Sequence, residues 1–138
     1  MFKELAFQVV QKAHAGQVDK AGKDYILHPM TVASYMDTDT EKAIAYLHDV
    51  LEDTDVTVDA LRKIFPNEIV DTLITLTHRK DESYFEYISR VSTSKLAKKV
   101  KAADLLHNLD IIRIKEPTKM DYERLDKYKK AILYRVMH

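Results

Sequence analysis

Glycine and proline are scarce in this chain, and the scarcity limits what it can fold into. Only 2 Gly and 3 Pro occur among 138 residues, whereas a loop-rich or all-β chain uses both residue types in its many turns. No segment shows the apolar–polar alternation of a half-buried strand. We therefore expect an all-α protein whose helices are joined by short connections.

The apolar residues recur at three- and four-residue spacing, as they do on the buried face of an amphipathic helix. The pattern predicts a single domain, residues 1–138, containing a compact bundle of about eight helices. A Ser83–Glu86 capping box marks one helix start, Asn67 is a cap candidate for another, and Gly16 suits the end of the first. The predicted helices cover 2–15, a segment opening near 28, 37–51, 57–64, 68–77, 83–91, 92–109 and 118–136.

Charge balance and cysteine content exclude several classes of function. The chain carries 22 Lys+Arg and 22 Asp+Glu, so no overall field attracts nucleic acid or a membrane surface. The absence of Cys excludes a disulfide framework and a thiolate metal site. No apolar stretch approaches the ~20 residues that span a bilayer, and the N-terminus does not resemble a signal peptide. We expect a cytoplasmic protein without nucleic acid or membrane partners; no pattern in the sequence indicates its oligomeric state.

The segment 43–54 brings ionisable side chains into a part of the chain that should be buried. Residues 43–47 are apolar on nearly every side, and His48 and Asp49 follow them directly. A buried carboxylate is costly unless it is paired or binds a metal. Helical spacing relates Glu52 and Asp53 to this pair, so that all four side chains can face one cavity. A satisfied core histidine followed by a solvated helix end fits this segment equally well when it is taken alone.

Two further segments carry residues of the same kind. Asp104 shares a helix face with His107 and Asn108 in a largely apolar stretch, although an Asp that caps or bridges helices fits equally well. His28 opens a helix after apolar residues, where a histidine is more often structural. Together the three segments supply two imidazoles and two carboxylates, a donor set that suits Mn²⁺, Fe²⁺, Co²⁺ or Zn²⁺ and leaves positions for water. The remaining histidines are interpreted as structural or solvated: His14, His78, His107 and His138.

Four motifs extend this pattern over most of the chain. They are His14-Ala-Gly-Gln17, Tyr25-Ile-Leu-His-Pro29, Leu47-His-Asp-Val-Leu-Glu-Asp-Thr54 and Val100-Lys-Ala-Ala-Asp-Leu-Leu-His-Asn-Leu109. In this order and spacing they resemble the HD-domain hydrolases of the RelA/SpoT group, especially the stand-alone small alarmone hydrolases.

The resemblance implies an all-helical hydrolase that removes the 3′-pyrophosphate from guanosine tetra- or pentaphosphate. It implies that water activated by a metal attacks a phosphorus, and that Glu52 and Asp53 handle the protons. It further implies that Lys20 contacts the 5′-phosphates and Asn108 the sugar or the 3′-phosphate. Because the chain ends soon after the hydrolase region, we expect it to degrade this nucleotide rather than make it. The divalent metal, most often Mn²⁺, is implied to be held by His28, His48, Asp49 and Asp104.

The chain departs from the family pattern where the substrate should bind. Asp19 replaces the usual Arg before Lys20, and Leu105 and Asp110 replace two Arg of the last motif. Losing a guanidinium weakens phosphate binding, and a carboxylate in its place repels an anionic substrate. Two alternatives remain: a hydrolase of another nucleotide, such as a 5′-nucleotide or a phosphorylated dinucleotide, and a nucleotide sensor without turnover. The retained acidic pair argues against the sensor, because binding alone does not require it.

Overall fold

The computed structural model describes residues 1–18, 22 and 24–108, and it confirms the all-α prediction. The regular elements in these ranges are all helices, accompanied by one isolated antiparallel bridge between Val18 and Asp24. The predicted helix over 118–136 lies outside the described residues. The helices are α1 (Phe2–Ala13), α2 (Leu27–Ser34), α3 (Asp39–Leu47), α4 (Val50–Asp53), α5 (Val58–Arg62), α6 (Asn67–Thr75), α7 (Tyr84–Val91) and α8 (Lys95–Asn108).

Helix α3 lies at the centre of the core. It packs against α1, α2, α6 and α8, while α2 and α6 also contact α8. Its inward residues are fully buried, and they are Ala43, Ile44, Ala45 and Leu47. The deep position expected for this apolar segment is therefore confirmed. In the part of the chain that the structure describes, no helix combines the length and apolar character required to cross a membrane.

The predicted helix over 37–51 is in fact two helices. Helix α3 ends at Leu47 and α4 begins at Val50, so that His48 and Asp49 form the junction. The His48 ring explains the break, because its Nδ1 lies 2.6 Å from the carbonyl oxygen of Ala45. In a continuous helix that carbonyl would accept from the Asp49 N–H. The apolar periodicity continues across the junction, so the pattern alone gave no sign of it.

The helix ends agree with the predicted signals in some places and differ in others. The predicted capping box is confirmed, because Ser83 Oγ accepts from the Glu86 N–H and the Glu86 carboxylate accepts from the Ser83 N–H. The prediction for Asn67 is wrong: Pro66 occupies the N-cap position, and the Asn67 side chain accepts instead from Arg62. Helix α1 ends at Ala13, and Gly16 adopts φ +82° in the turn that follows it.

Arg90 on α7 fixes the connection between α6 and α7. Its guanidinium donates to the carbonyl oxygens of Thr75 and Thr77, each at 2.9 Å, and to Glu82 Oε1 at 2.7 Å. These bonds hold the loop that carries His78. Hydrogen bonding from Arg90 lowers the pKa of Glu82 from its usual value near 4.5 to about 2.

This lowered pKa predicts an acid-dependent contribution to stability. A carboxyl group whose pKa is depressed on folding stabilises the protein above its unfolded pKa, and this contribution is lost as the pH falls towards the folded value. We expect Glu82→Gln to lower the urea midpoint at pH 6, and the deficit to shrink between pH 4.5 and pH 2. Asp81→Asn, an exposed carboxylate on the same loop, is the control. A deficit that does not change with pH would contradict the assignment.

Candidate metal centre

Four side chains predicted to act together do converge in the structure. His28 comes from the first turn of α2, His48 and Asp49 from the α3–α4 junction, and Asp104 from α8. One ligand atom of each lies within 4.8 Å of the others. His28 Nε2 is 2.8 Å from Asp104 Oδ1, and His48 Nε2 is 3.1 Å from Asp49 Oδ2 and 3.3 Å from Asp104 Oδ1. Three of the residues are buried and Asp49 is half-buried, so the cluster lies mostly below the surface.

The orientation of His48 fits a cation. Its Nδ1 must carry the hydrogen, because the carbonyl of Ala45 beside it can only accept. Its Nε2 then presents a lone pair, and this buried atom makes no hydrogen bond with any of the described residues. It faces the carboxylates of Asp49 and Asp104. A buried imidazole lone pair next to two carboxylate oxygens matches the donor set of a divalent metal site.

The electrostatics of the cluster favour positive charge between the two carboxylates. Burial disfavours a charged imidazole, yet Asp49 and Asp104 raise the pKa of His48 above its usual range. Burial likewise opposes ionisation of Asp49, but neighbouring His48 lowers the pKa of that carboxyl to about 2. Both shifts favour positive charge between the two carboxylates. The same preference would be met by a divalent cation.

Asp104 is held by two neighbours, one at each carboxylate oxygen, and its Oδ1 also faces the two histidines. Lys101 Nζ donates to Oδ2 at 2.9 Å, and Asn108 Nδ2 donates to Oδ1 at 3.0 Å. Burial opposes the charges of Lys101 and Asp104, yet each charge stabilises the other. The pKa of Lys101 is therefore raised and that of Asp104 is lowered. Sequence reasoning missed Lys101, although it precedes Asp104 by three residues and therefore shares its helix face.

The first two motifs support Asp49 from the opposite side. The Tyr25 hydroxyl donates to Asp49 Oδ2, and burial together with the Asp49 charge raises the pKa of Tyr25. The Tyr25 ring lies 4.6 Å from the ring of His14, centroid to centroid, and His14 Nδ1 is 3.1 Å from Gln17 Oε1. His14 is buried, and it packs against a residue that holds the cluster.

Glu52 and Asp53 lie on α4, one turn beyond Asp49, and their side chains reach solvent. Glu52 Oε1 accepts from the backbone N–H of His78 at 2.6 Å. Partial desolvation of the carboxyl groups and the negative charge of Asp49 raise the pKa of both. The common direction means that the surroundings do not sort the two residues into an acid and a base. The backbone contact from His78 was not anticipated; this histidine was interpreted as structural or solvated.

The residues assigned to the substrate are only partly described. Asn108 ends α8 with its amide turned towards Asp104, and its contact with a nucleotide stays a prediction. Lys20, Asp19 and Asp110 lie outside the described residues. Leu105 is 2% exposed and packs in the hydrophobic core. The position at which the resemblance led us to expect Arg is therefore occupied by a core side chain.

A comparison with protein families identifies the family of this chain. The model of the HD domain family matches residues 6–128. The chain belongs to the HD domain family. This HD domain is 32% identical over 130 residues to a probable GTP pyrophosphokinase of Mycobacterium leprae, a match that covers 84% of this chain and 16% of that protein. It is 32% identical over 120 residues to the guanosine-3′,5′-bis(diphosphate) 3′-pyrophosphohydrolase of Borreliella burgdorferi, covering 75% of this chain and 18% of that protein.

The HD domain thus spans less than a fifth of the length of these two relatives. A solved structure of a metazoan ortholog of SpoT, described as hydrolyzing ppGpp and playing a role in starvation responses, has the same fold. The TM-score is 0.82 at 23% identity, with 97% of this chain and 84% of that chain covered. The resemblance to the RelA/SpoT hydrolase group and the expected all-helical HD fold are confirmed.

Proposed function

We propose that this HD domain is a metal-dependent phosphohydrolase that removes the 3′-pyrophosphate from guanosine 3′,5′-bis(diphosphate). The observation that carries the proposal is the convergence of two imidazoles and two carboxylates, with ligand atoms within 4.8 Å of one another, next to the acidic pair Glu52–Asp53. The printed function of the Borreliella burgdorferi relative supports the choice of substrate. The family match over residues 6–128 supports treating the chain as one hydrolase domain.

We propose that the resident metal is Mn²⁺, held by His28, His48, Asp49 and Asp104. The donors are nitrogen and oxygen without sulfur, which favours a borderline-to-hard ion over one that prefers thiolates. When bound, the metal supplies Lewis-acid activation of water and of a phosphoryl oxygen. The hydrogen bonds from Tyr25 to Asp49 and from Lys101 to Asp104 fix the two carboxylates in place.

Glu52 and Asp53 carry out proton transfer. One carboxylate takes a proton from the attacking water while the new oxygen–phosphorus bond forms. As the bond between phosphorus and the 3′-oxygen breaks, a protonated carboxyl delivers a proton to the leaving group. The raised pKa of both groups brings them closer to neutral pH, where proton exchange is most efficient. The His78 N–H orients Glu52 for this work. The products are guanosine 5′-diphosphate and pyrophosphate.

Substrate contacts are assigned from the motifs. We propose that Lys20 binds the 5′-phosphates and that Asn108 binds the sugar or the 3′-phosphate. A second candidate, hydrolysis of another nucleotide, is favoured by three positions at which the resemblance led us to expect Arg. Leu105 is a core residue, and Asp19 and Asp110 are acidic. Fewer cations near the phosphates favour a substrate with less charge than the tetraphosphate.

A substrate panel tests the proposal. Protein with Mn²⁺ is offered guanosine 3′,5′-bis(diphosphate), 5′-mononucleotides and a 2′-phosphorylated dinucleotide, and the released pyrophosphate and orthophosphate are quantified. We expect pyrophosphate from the tetraphosphate alone. Orthophosphate from another member would establish the second candidate. Nucleotide binding without any product would contradict a hydrolase and identify a sensor. A Glu52→Gln, Asp53→Asn double variant controls for contaminating phosphatases.

A further inference from the structure

The two histidines of the cluster are held in the same way but by different partners. Each turns Nε2 towards the carboxylates and engages Nδ1 on the far side of the ring. His48 Nδ1 faces the backbone carbonyl of Ala45 at 2.6 Å. His28 Nδ1 instead lies 2.6 Å from Nδ1 of His107, while its Nε2 is 2.8 Å from Asp104 Oδ1. The partner of His28 is therefore a side chain that substitution can remove.

We propose that His107 is a positioning residue that fixes the tautomer and ring orientation of His28 for metal binding. A hydrogen bond between two imidazole nitrogens needs one donor and one acceptor. If His28 Nε2 is to offer a lone pair to a cation, its Nδ1 must carry the hydrogen. His107 Nδ1 must then accept, which puts the hydrogen of the neutral His107 ring on Nε2. The inference rests on the metal site of the proposed function.

The geometry of α8 supports this role. His107 follows Asp104 by three residues, so one face of the helix supplies a ligand and, one turn later, the support for a second ligand. The two rings are nearly parallel, with an interplanar angle of 10° and centroids 4.9 Å apart. His107 is half-buried, whereas His28 is buried. The more exposed ring thus covers the side of His28 that faces away from the carboxylates.

The expected effect is on affinity for the metal rather than on folding. Losing an outer partner of a ligating histidine typically weakens metal binding about 10–100-fold. His107→Leu keeps an apolar bulk on the helix but cannot accept a hydrogen bond. His107→Asn retains an acceptor, because the amide oxygen of Asn lies near the position of Nδ1. The neighbouring residue Leu106, which is 58% exposed, provides the matched control variant Leu106→Ala.

The test measures Mn²⁺ binding by isothermal titration calorimetry in wild type and in the three variants. Thermal unfolding in the presence of a chelator is recorded beside it. We expect His107→Leu to bind Mn²⁺ roughly 10–100-fold more weakly, His107→Asn to recover most of the affinity, and Leu106→Ala to match wild type. The unfolding midpoints of wild type and the variants in chelator should be similar. Similar midpoints would show that the loss of Mn²⁺ affinity does not come from a general loss of structure.

The outcomes test the metal site and the role of His107 separately. Wild type that does not bind Mn²⁺ would contradict the proposed function itself. Wild type and His107→Leu with equal affinity would overturn the role of His107 while leaving the metal site intact, and equal weakening in the Leu and Asn variants would overturn the hydrogen bond. If His107→Leu does not fold, His107→Gln replaces it, because its amide lies beyond the Nδ1 position. Equal affinity in the Gln and Asn variants would then refute the inference.

Discussion

Asp104→Asn is expected to abolish Mn²⁺ binding and hydrolysis together. Asp104 is 4% exposed, and its Oδ1 lies 2.8 Å from His28 Nε2 and 3.3 Å from His48 Nε2. The amide keeps the shape of the side chain but removes the negative charge that a cation requires. Since an outer partner alone is worth about 10–100-fold in metal affinity, loss of a direct ligand should exceed that range.

Calorimetric titration with Mn²⁺ and pyrophosphate release from the tetraphosphate measure the two effects of Asp104→Asn. The amide oxygen can still accept from Lys101, so this variant avoids the unpaired buried ammonium that Asp104→Ala would leave, a change that commonly costs about 3–5 kcal/mol. Asp59→Asn, an exposed carboxylate on α5, is the control and should behave as wild type. Full metal content in Asp104→Asn would remove Asp104 from the ligand set.

Glu52→Gln and Asp53→Asn are expected to lower turnover by about 10²–10⁴-fold while changing the affinity for Mn²⁺ only slightly. Neither residue belongs to the four-donor cluster, and both are exposed on α4. The substitutions preserve side-chain shape and remove the capacity to exchange a proton. Because they also remove negative charge close to Asp49, the affinity for Mn²⁺ should fall by no more than a few-fold.

Single-turnover release of pyrophosphate, measured beside Mn²⁺ titration, separates chemistry from metal loading in these two variants. Glu68→Gln, an exposed carboxylate on α6, serves as the matched control. Wild-type turnover in either variant would exclude that residue from proton transfer. Loss of Mn²⁺ together with turnover would instead make the residue a metal ligand.

Local sequence signals predicted most of the fold. Capping chemistry and apolar spacing located α7 and α8 to within about three residues, because those signals act over one helical turn. The junction at His48–Asp49 was missed because a side chain, rather than a Pro or Gly, ends α3. The Nδ1 of His48 hydrogen-bonds to the carbonyl oxygen of Ala45. The spacing of apolar residues carries no information about this bond.

The sequence predicted the four donors of the candidate site but not the residues that surround and support them. The four donors were proposed from buried charge in apolar segments together with the resemblance to HD-domain hydrolases, and the structure brings them together. His107 was interpreted as structural or solvated because sequence spacing relates it only to Asp104, whereas its partner His28 is 79 residues away. The contact of the His78 backbone with Glu52 was invisible for the same reason, since it depends on how α4 and the α6–α7 loop pack.

The central claim is that four clustered side chains hold one divalent metal. Anomalous scattering from crystals grown with Mn²⁺ tests it most directly, because the signal locates the ion independently of any assay. The account predicts one strong peak bounded by Nε2 of both histidines and by an oxygen of each aspartate, and lost in Asp104→Asn crystals. A peak elsewhere, or none at saturating Mn²⁺, would contradict it. The four side chains are His28, His48, Asp49 and Asp104.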